Sequence, residues 1–120
     1  MIAGIKKVRQ YTNQNPNILI ITTDGVLDEV LNYASKRGSL MRQKALLLCA
    51  RIVQDSSMIV VSYTPEIREQ GILLYSQRSD KQYSMTDCVS MVLMRRMNIR
   101  KVLTHDRHFA QEGFEVIFQG

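Results

Sequence analysis

A three-layer α/β/α domain, with helices on both faces of a mostly parallel central sheet, is the fold class this sequence predicts. The first argument is a pair of short runs, Ile18–Ile21 and Met58–Val61, that are apolar without alternation. A strand buried on both faces reads that way, and such strands belong to parallel sheets. The second is spacing: two stretches of helical periodicity separate each run from the next strand, and parallel strands need crossovers of that length. The third is size, since 120 residues make one domain, 1–120, with one continuous core.

The elements follow in order. Ala3–Asn13 is a short amphipathic helix stopped by Pro16-Asn17, and Ile18–Ile21 is the first strand. Thr22 and Thr23 end that strand, and Thr23 or Asp24 caps a helix whose Val26, Leu27, Val30, Leu31 and Ala34 share a face. Lys36-Arg37 complement its last turn, and Gly38 supplies a left-handed stop. Ser39 opens a second helix with Leu40, Ala45, Leu46, Leu48, Cys49 and Ile52, and the Asp55-Ser56-Ser57 loop leads to Met58–Val61. Thr64-Pro65-Glu66 combines a capping hydroxyl, a first-turn proline and an acid at the positive helix end. The helix it opens carries Ile67, Leu73, Leu74 and Tyr75, with Gly71 a weak point. Ser84 starts another, carrying Cys88, Met91, Val92, Leu93 and Met94. The strands Val102-Leu103 and Phe114–Phe118 bracket a helical turn that closes at Gly113.

No apolar run reaches the roughly 20 residues of a membrane helix, and Met1–Lys7 lacks the apolar region and cleavage site of a signal peptide. A cytoplasmic protein without a membrane partner is expected. Cys49 and Cys88 have no further Cys or His at zinc-ligand spacing, so free thiols are expected. The net charge of +5 favours encounter with a polyanion.

Chemistry in open parallel sheets collects beyond the carboxyl ends of strands. Three acids map there: Glu29 on the helix leaving the first strand, Asp87 in the first turn after Ser84, and Asp106 just past Val102-Leu103. Converging carboxylates repel unless neutralised, which points to a bound cation, and an oxygen-only set suits Mg²⁺ or Mn²⁺. Each acid also has a plain structural reading. Ser84–Asp87 matches a capping box, Asp106 can cap the turn that follows it, and Glu29 can pair with Lys36 or Arg37. Arg95, Arg96, Arg100, Lys101 and Arg107 surround these acids and suit contacts to phosphate, although basic residues at helix C-termini also complement the dipole. His105 and His108 flank Asp106 and are read as surface or capping residues.

The segments Thr22–Glu29, Tyr83–Cys88 and Leu103–Phe109, the last with Gly113-Phe114, resemble the acid-bearing segments of the PIN-domain family. These are metal-dependent ribonucleases that include the VapC toxins of bacterial toxin–antitoxin pairs. The resemblance implies Glu29, Asp87 and Asp106 as metal-site acids, Thr104 as a supporting hydroxyl, and hydrolysis of RNA by metal-activated water. It implies RNA, an antitoxin protein and a second copy of the chain as partners. One departure stands out: the family opens with a central strand ending in the first acid, and nothing before Ile18 reads as that strand. With that strand missing, the sheet needs another chain or a different closure, so a tight and even strand-exchanged homodimer is expected. The missing acid also leaves an alternative function open, a catalytically weak or inactive module that binds RNA or a protein partner.

Overall fold

A computed structural model describes residues 5–118, with side chains from residue 8 onward. The elements are α1 (Ile5–Gln14), β1 (Ile20–Thr23), α2 (Asp24–Ser35), α3 (Ser39–Gln54), β2 (Met58–Val61), α4 (Pro65–Gln77), α5 (Met85–Arg96), β3 (Lys101–Val102), α6 (His108–Gln111) and β4 (Glu115–Val116). The expected start of the first helix, at Ala3, lies outside the described residues. The strands are parallel, as the sequence predicts, and among the described residues they form two pairs, β1–β2 and β3–β4. The chain divides into two compact units, residues 1–62 and 63–120.

In the first unit β1 pairs with β2 from Ile20 opposite Met58 to Thr23 opposite Val61. The strand therefore starts later than the apolar run and takes in both threonines. Thr23 serves twice, closing the ladder and accepting the Val26 N–H on its hydroxyl at 3.2 Å to cap α2. At φ 91° Gly38 sits where a side chain would be strained, which lets α2 turn directly into α3. The two helices close on Val30, Ala34 and Ala45, with Leu31, Leu48 and Cys49 packed against them. Burial is thinner than the sequence predicts. Leu19 and Ile59 are 53% and 42% exposed, and Leu40 and Leu46 are 65% and 60% exposed. Periodicity identifies the helix correctly, but α3 carries more apolar positions than its narrow contact with α2 can cover.

In the second unit α4 begins as its sequence dictates, with the Ile67 N–H donating to Thr64 Oγ1 at 3.2 Å and Pro65 in the first turn. Ile67, Gly71 and Leu74 face inward, whereas Leu73 and Tyr75 are outside. Gly71 sets the face: a Cβ there would stand 2.7 Å from Val89 Cγ2 and 3.0 Å from Met85 Cε of α5. The weak point of the helix is thus the point where α4 and α5 touch. Ala has the higher helix propensity by about 1 kcal/mol, but overpacking against a stiff β-branched side chain costs about 1–3 kcal/mol. Gly71→Ala is therefore expected to lower stability in urea denaturation; a gain would mean that the helices part freely.

Beneath that crossing Leu74, Tyr83, Cys88, Met91, Met94, Phe109 and Phe114 form one buried cluster. After α5, Asn98 takes φ 55° and the Ile99 N–H returns to the Met94 carbonyl at 2.8 Å, a left-handed stop that delivers the chain to β3. The strands β3 and β4 are shorter than the runs Val102-Leu103 and Phe114–Phe118 suggest, pairing only Lys101 with Glu115 and Val102 with Val116.

Candidate metal centre

Two local motifs bring two carboxylates to one place. Asp87, in the first turn of α5, accepts the Ser84 N–H on Oδ2 at 3.0 Å, and its own N–H donates to Ser84 Oγ at 3.0 Å. This reciprocal capping box fixes the side chain at the positive end of the helix and leaves Oδ1 outside the cap. Asp106 lies in the turn between β3 and α6. Its N–H donates to Thr104 Oγ1 at 3.1 Å, and its Oδ1 accepts the His108 N–H at 2.9 Å. A short polar side chain bonded to the backbone two residues on is the usual way such a turn holds its shape. Thr104 is only 5% exposed, so its hydroxyl works inward on the Asp106 backbone.

Ligand-capable atoms of Asp87, Asp106 and His108 all lie within 4.8 Å of one another. All three residues are half-buried. Two carboxylates at this spacing repel in a partly dry environment, and a divalent cation removes the repulsion. The bland and functional readings of Asp87 turn out to be compatible, because the cap uses one oxygen. His108 is the residue that sequence reasoning set aside. Its N–H bond to Asp106 Oδ1 at 2.9 Å and its Nδ1 at 3.1 Å from the same oxygen bring it to the acid.

A family model for the PIN domain matches residues 5–115. The chain belongs to the PIN-domain family. Among solved structures, this PIN domain is similar to the VapC20 toxin of Mycobacterium tuberculosis, described as sarcin-ricin loop cleaving. The TM-score is 0.75 at 22% sequence identity, covering 88% of this chain and 78% of that one. At that identity the likeness establishes a shared fold. No curated protein matches the sequence closely enough to add to this. The family implies a divalent metal, and the residues present fit one: carboxylate oxygens on two elements, each tied to its own backbone, with donor atoms within 4.8 Å.

The other residues singled out in this PIN domain are placed as follows. Glu29 stands on α2 in the first unit, half-buried, with interactions of its own. Arg95 donates to the Glu112 carboxylate at 2.9 Å and to the Glu112 carbonyl at 3.0 Å. Arg96 pairs with Glu66 at 3.5 Å. Arg100 and Lys101 are exposed and line a cavity of about 510 Å³ with Gly113, Phe114 and Glu115, and Arg107 is exposed at the start of α6.

Behind the centre lies a second polar group that sequence reasoning did not find. The Glu112 side chain is 6% exposed and takes two hydrogen bonds from Arg78, at 2.9 and 3.2 Å, besides that from Arg95. Tyr83 adds a third partner, its phenol donating to Glu112 Oε2 at 3.0 Å. The Arg78 bonds, helped by Arg95 and Tyr83, hold the Glu112 carboxyl down at about 2 against the opposing effect of burial. Burial first, and then the bond to Glu112, pushes the Tyr83 phenol up to about 12. The Tyr83 ring in turn meets the His108 imidazole edge-on, with centroids 5.3 Å apart and planes at 61°. A buried ion-pair network therefore sets the wall against which His108 rests. No helix among the described residues is long and apolar enough to cross a membrane.

Proposed function

We propose that this PIN domain is an endoribonuclease that hydrolyses RNA phosphodiesters with water activated by Mg²⁺ or Mn²⁺. The observation that carries the reading is the meeting of Asp87 and Asp106, from separate elements, with donor atoms within 4.8 Å. The bound ion supplies the Lewis acidity and the activated water. Asp87 and Asp106 would hold it, their orientation set before binding by the Ser84 cap and the Thr104 hydroxyl. Glu29 is proposed as a further metal-site acid, on the likeness of Thr22–Glu29 to the family's segment.

RNA as the substrate class is supported by family membership and by the likeness to VapC20, described as a sarcin-ricin loop cleaving toxin. Phosphate contacts are assigned chiefly to Arg100, Lys101 and Arg107, whose charges face solvent, with Arg96 exposed beside them. Arg95 contributes less because Glu112 already holds its guanidinium. The reading adds an antitoxin protein and a second copy of the chain as partners. Leu40, Leu46, Leu47 and Val53, all at least 60% exposed on α3, offer apolar surface for one of them.

The experiment is incubation of purified protein with structured and single-stranded RNA, with Mg²⁺ or Mn²⁺ and with a chelator. Cleavage that requires the metal is expected. Salt-sensitive RNA binding without turnover in any metal would instead make the chain a binding module.

A further inference from the structure

We propose that His108 is a third donor to the ion at Asp87 and Asp106, making the centre a mixed nitrogen–oxygen site that prefers Mn²⁺ to Mg²⁺. The inference rests on the metal-site reading above and goes beyond its oxygen-only ligand set. Its first support is the orphaned state of the imidazole nitrogen. His108 Nδ1 is shut off from solvent, and no well-directed hydrogen bond satisfies it among the described residues. Its close neighbour is Asp106 Oδ1 at 3.1 Å, a contact by distance and charge rather than a directed bond. A buried polar atom left in this state costs stability unless something else engages it, and a cation held by the adjoining carboxylates would do so.

The second support is spacing. Adjacent donors around a six-coordinate ion with bonds of about 2.1 Å stand about 3 Å apart. The Nδ1–Oδ1 distance of 3.1 Å matches that separation, and Asp87 completes a trio within 4.8 Å. The third is rigidity. The His108 backbone is fixed by its N–H bond to Asp106 at 2.9 Å, and its ring lies against Tyr83, which is 5% exposed and anchored on Glu112. An imidazole this constrained is oriented before any ion arrives, as metal ligands are when neighbouring groups hold them. Imidazole nitrogen favours first-row transition ions, whereas Mg²⁺ prefers oxygen and keeps its waters.

The test loads the full chain with Mn²⁺ and records its pulsed electron-spin-echo spectrum. Nitrogen-14 modulation from a directly bound imidazole is expected in the wild type. It is expected to persist in His105→Ala and to vanish in His108→Ala, with Mn²⁺ affinity down by about 10-fold or more and Mg²⁺ affinity changed by far less. Bound Mn²⁺ without nitrogen modulation in the wild type overturns the role of His108 and leaves the carboxylate site standing. Failure of the wild type to bind Mn²⁺ at all overturns both. The wild-type spectrum decides the matter even if His108→Ala fails to fold.

Discussion

Asp106→Asn is expected to abolish metal-dependent RNA cleavage, by roughly 100-fold or more, while leaving the fold intact. The magnitude follows from the 10–100-fold losses seen when only the partners of metal ligands are removed, since here a ligand itself loses its charge. The fold survives because an asparagine oxygen can still accept the His108 N–H that Asp106 Oδ1 receives at 2.9 Å, so the turn keeps its bond. Asp87→Asn is expected to behave in the same way, because an asparagine oxygen can still accept the Ser84 N–H that Asp87 Oδ2 receives at 3.0 Å. The matched control is Asp80→Asn, a carboxylate 75% exposed beside Lys81, which is expected to change nothing. Steady-state cleavage with a melting curve on each variant checks the set. Wild-type rates in Asp106→Asn would remove Asp106 from the chemistry.

Glu112→Ala is expected to produce the largest loss of stability, about 3 kcal/mol. Its carboxylate accepts from Arg78, Arg95 and Tyr83, and it is 6% exposed while the two arginine side chains are 33% and 46% exposed. Breaking a fully buried pair costs about 3–5 kcal/mol, and the arginines' access to water moves the expected value to the lower end. The pH dependence gives a separate handle. A carboxyl lowered from 4.5 to about 2 favours the folded state once ionised. That contribution is complete above the unfolded value and is lost as pH falls from about 4.5 through about 2. At the alkaline end the sign is reversed for Tyr83, raised from 10.0 to about 12. Its neutral phenol favours the fold, and that support fades as pH rises through this window. Denaturant unfolding across pH should show the acid-side loss in the wild type and a much flatter acid limb in Glu112→Ala. Equal stability of the two proteins at pH 7 would mean the network adds nothing.

Local rules made much of this chain legible from its residues. Thr23, Thr64 and Ser84 cap the helices they were expected to cap, because capping needs only a side-chain oxygen and the next few N–H groups. Gly38 takes positive φ as the N-cap of α3, whereas the stop it was expected to supply for α2 falls earlier, with Lys36 as the C-cap. What failed depends on partners distant in the chain. Leu40, Leu46, Leu73 and Tyr75 lie on apolar helices yet are exposed, since periodicity reports a face and not what meets it. The register of β1 shifted toward the threonines because pairing with Met58–Val61, not apolarity, decides where a strand ends.

The candidate centre divides along the same line. Asp87 and Asp106 were visible because each sits where a strand or a cap exposes it. His108 is harder to read: the ring it rests against belongs to Tyr83, twenty-odd residues back, with the Glu112 group behind that ring. The network itself gave no sequence signal, as Arg78, Arg95 and Glu112 look singly like solvated charges. Cys88, fully buried and held above its ordinary thiol value by burial and then by the Asp87 charge, is a free thiol as expected.

A manganese anomalous difference map, from crystals grown or soaked with Mn²⁺, tests the central claim most directly. A peak within bonding distance of both the Asp87 and Asp106 carboxylates is the predicted result. A map with manganese elsewhere, or with none beside these two side chains at saturating concentration, would contradict it.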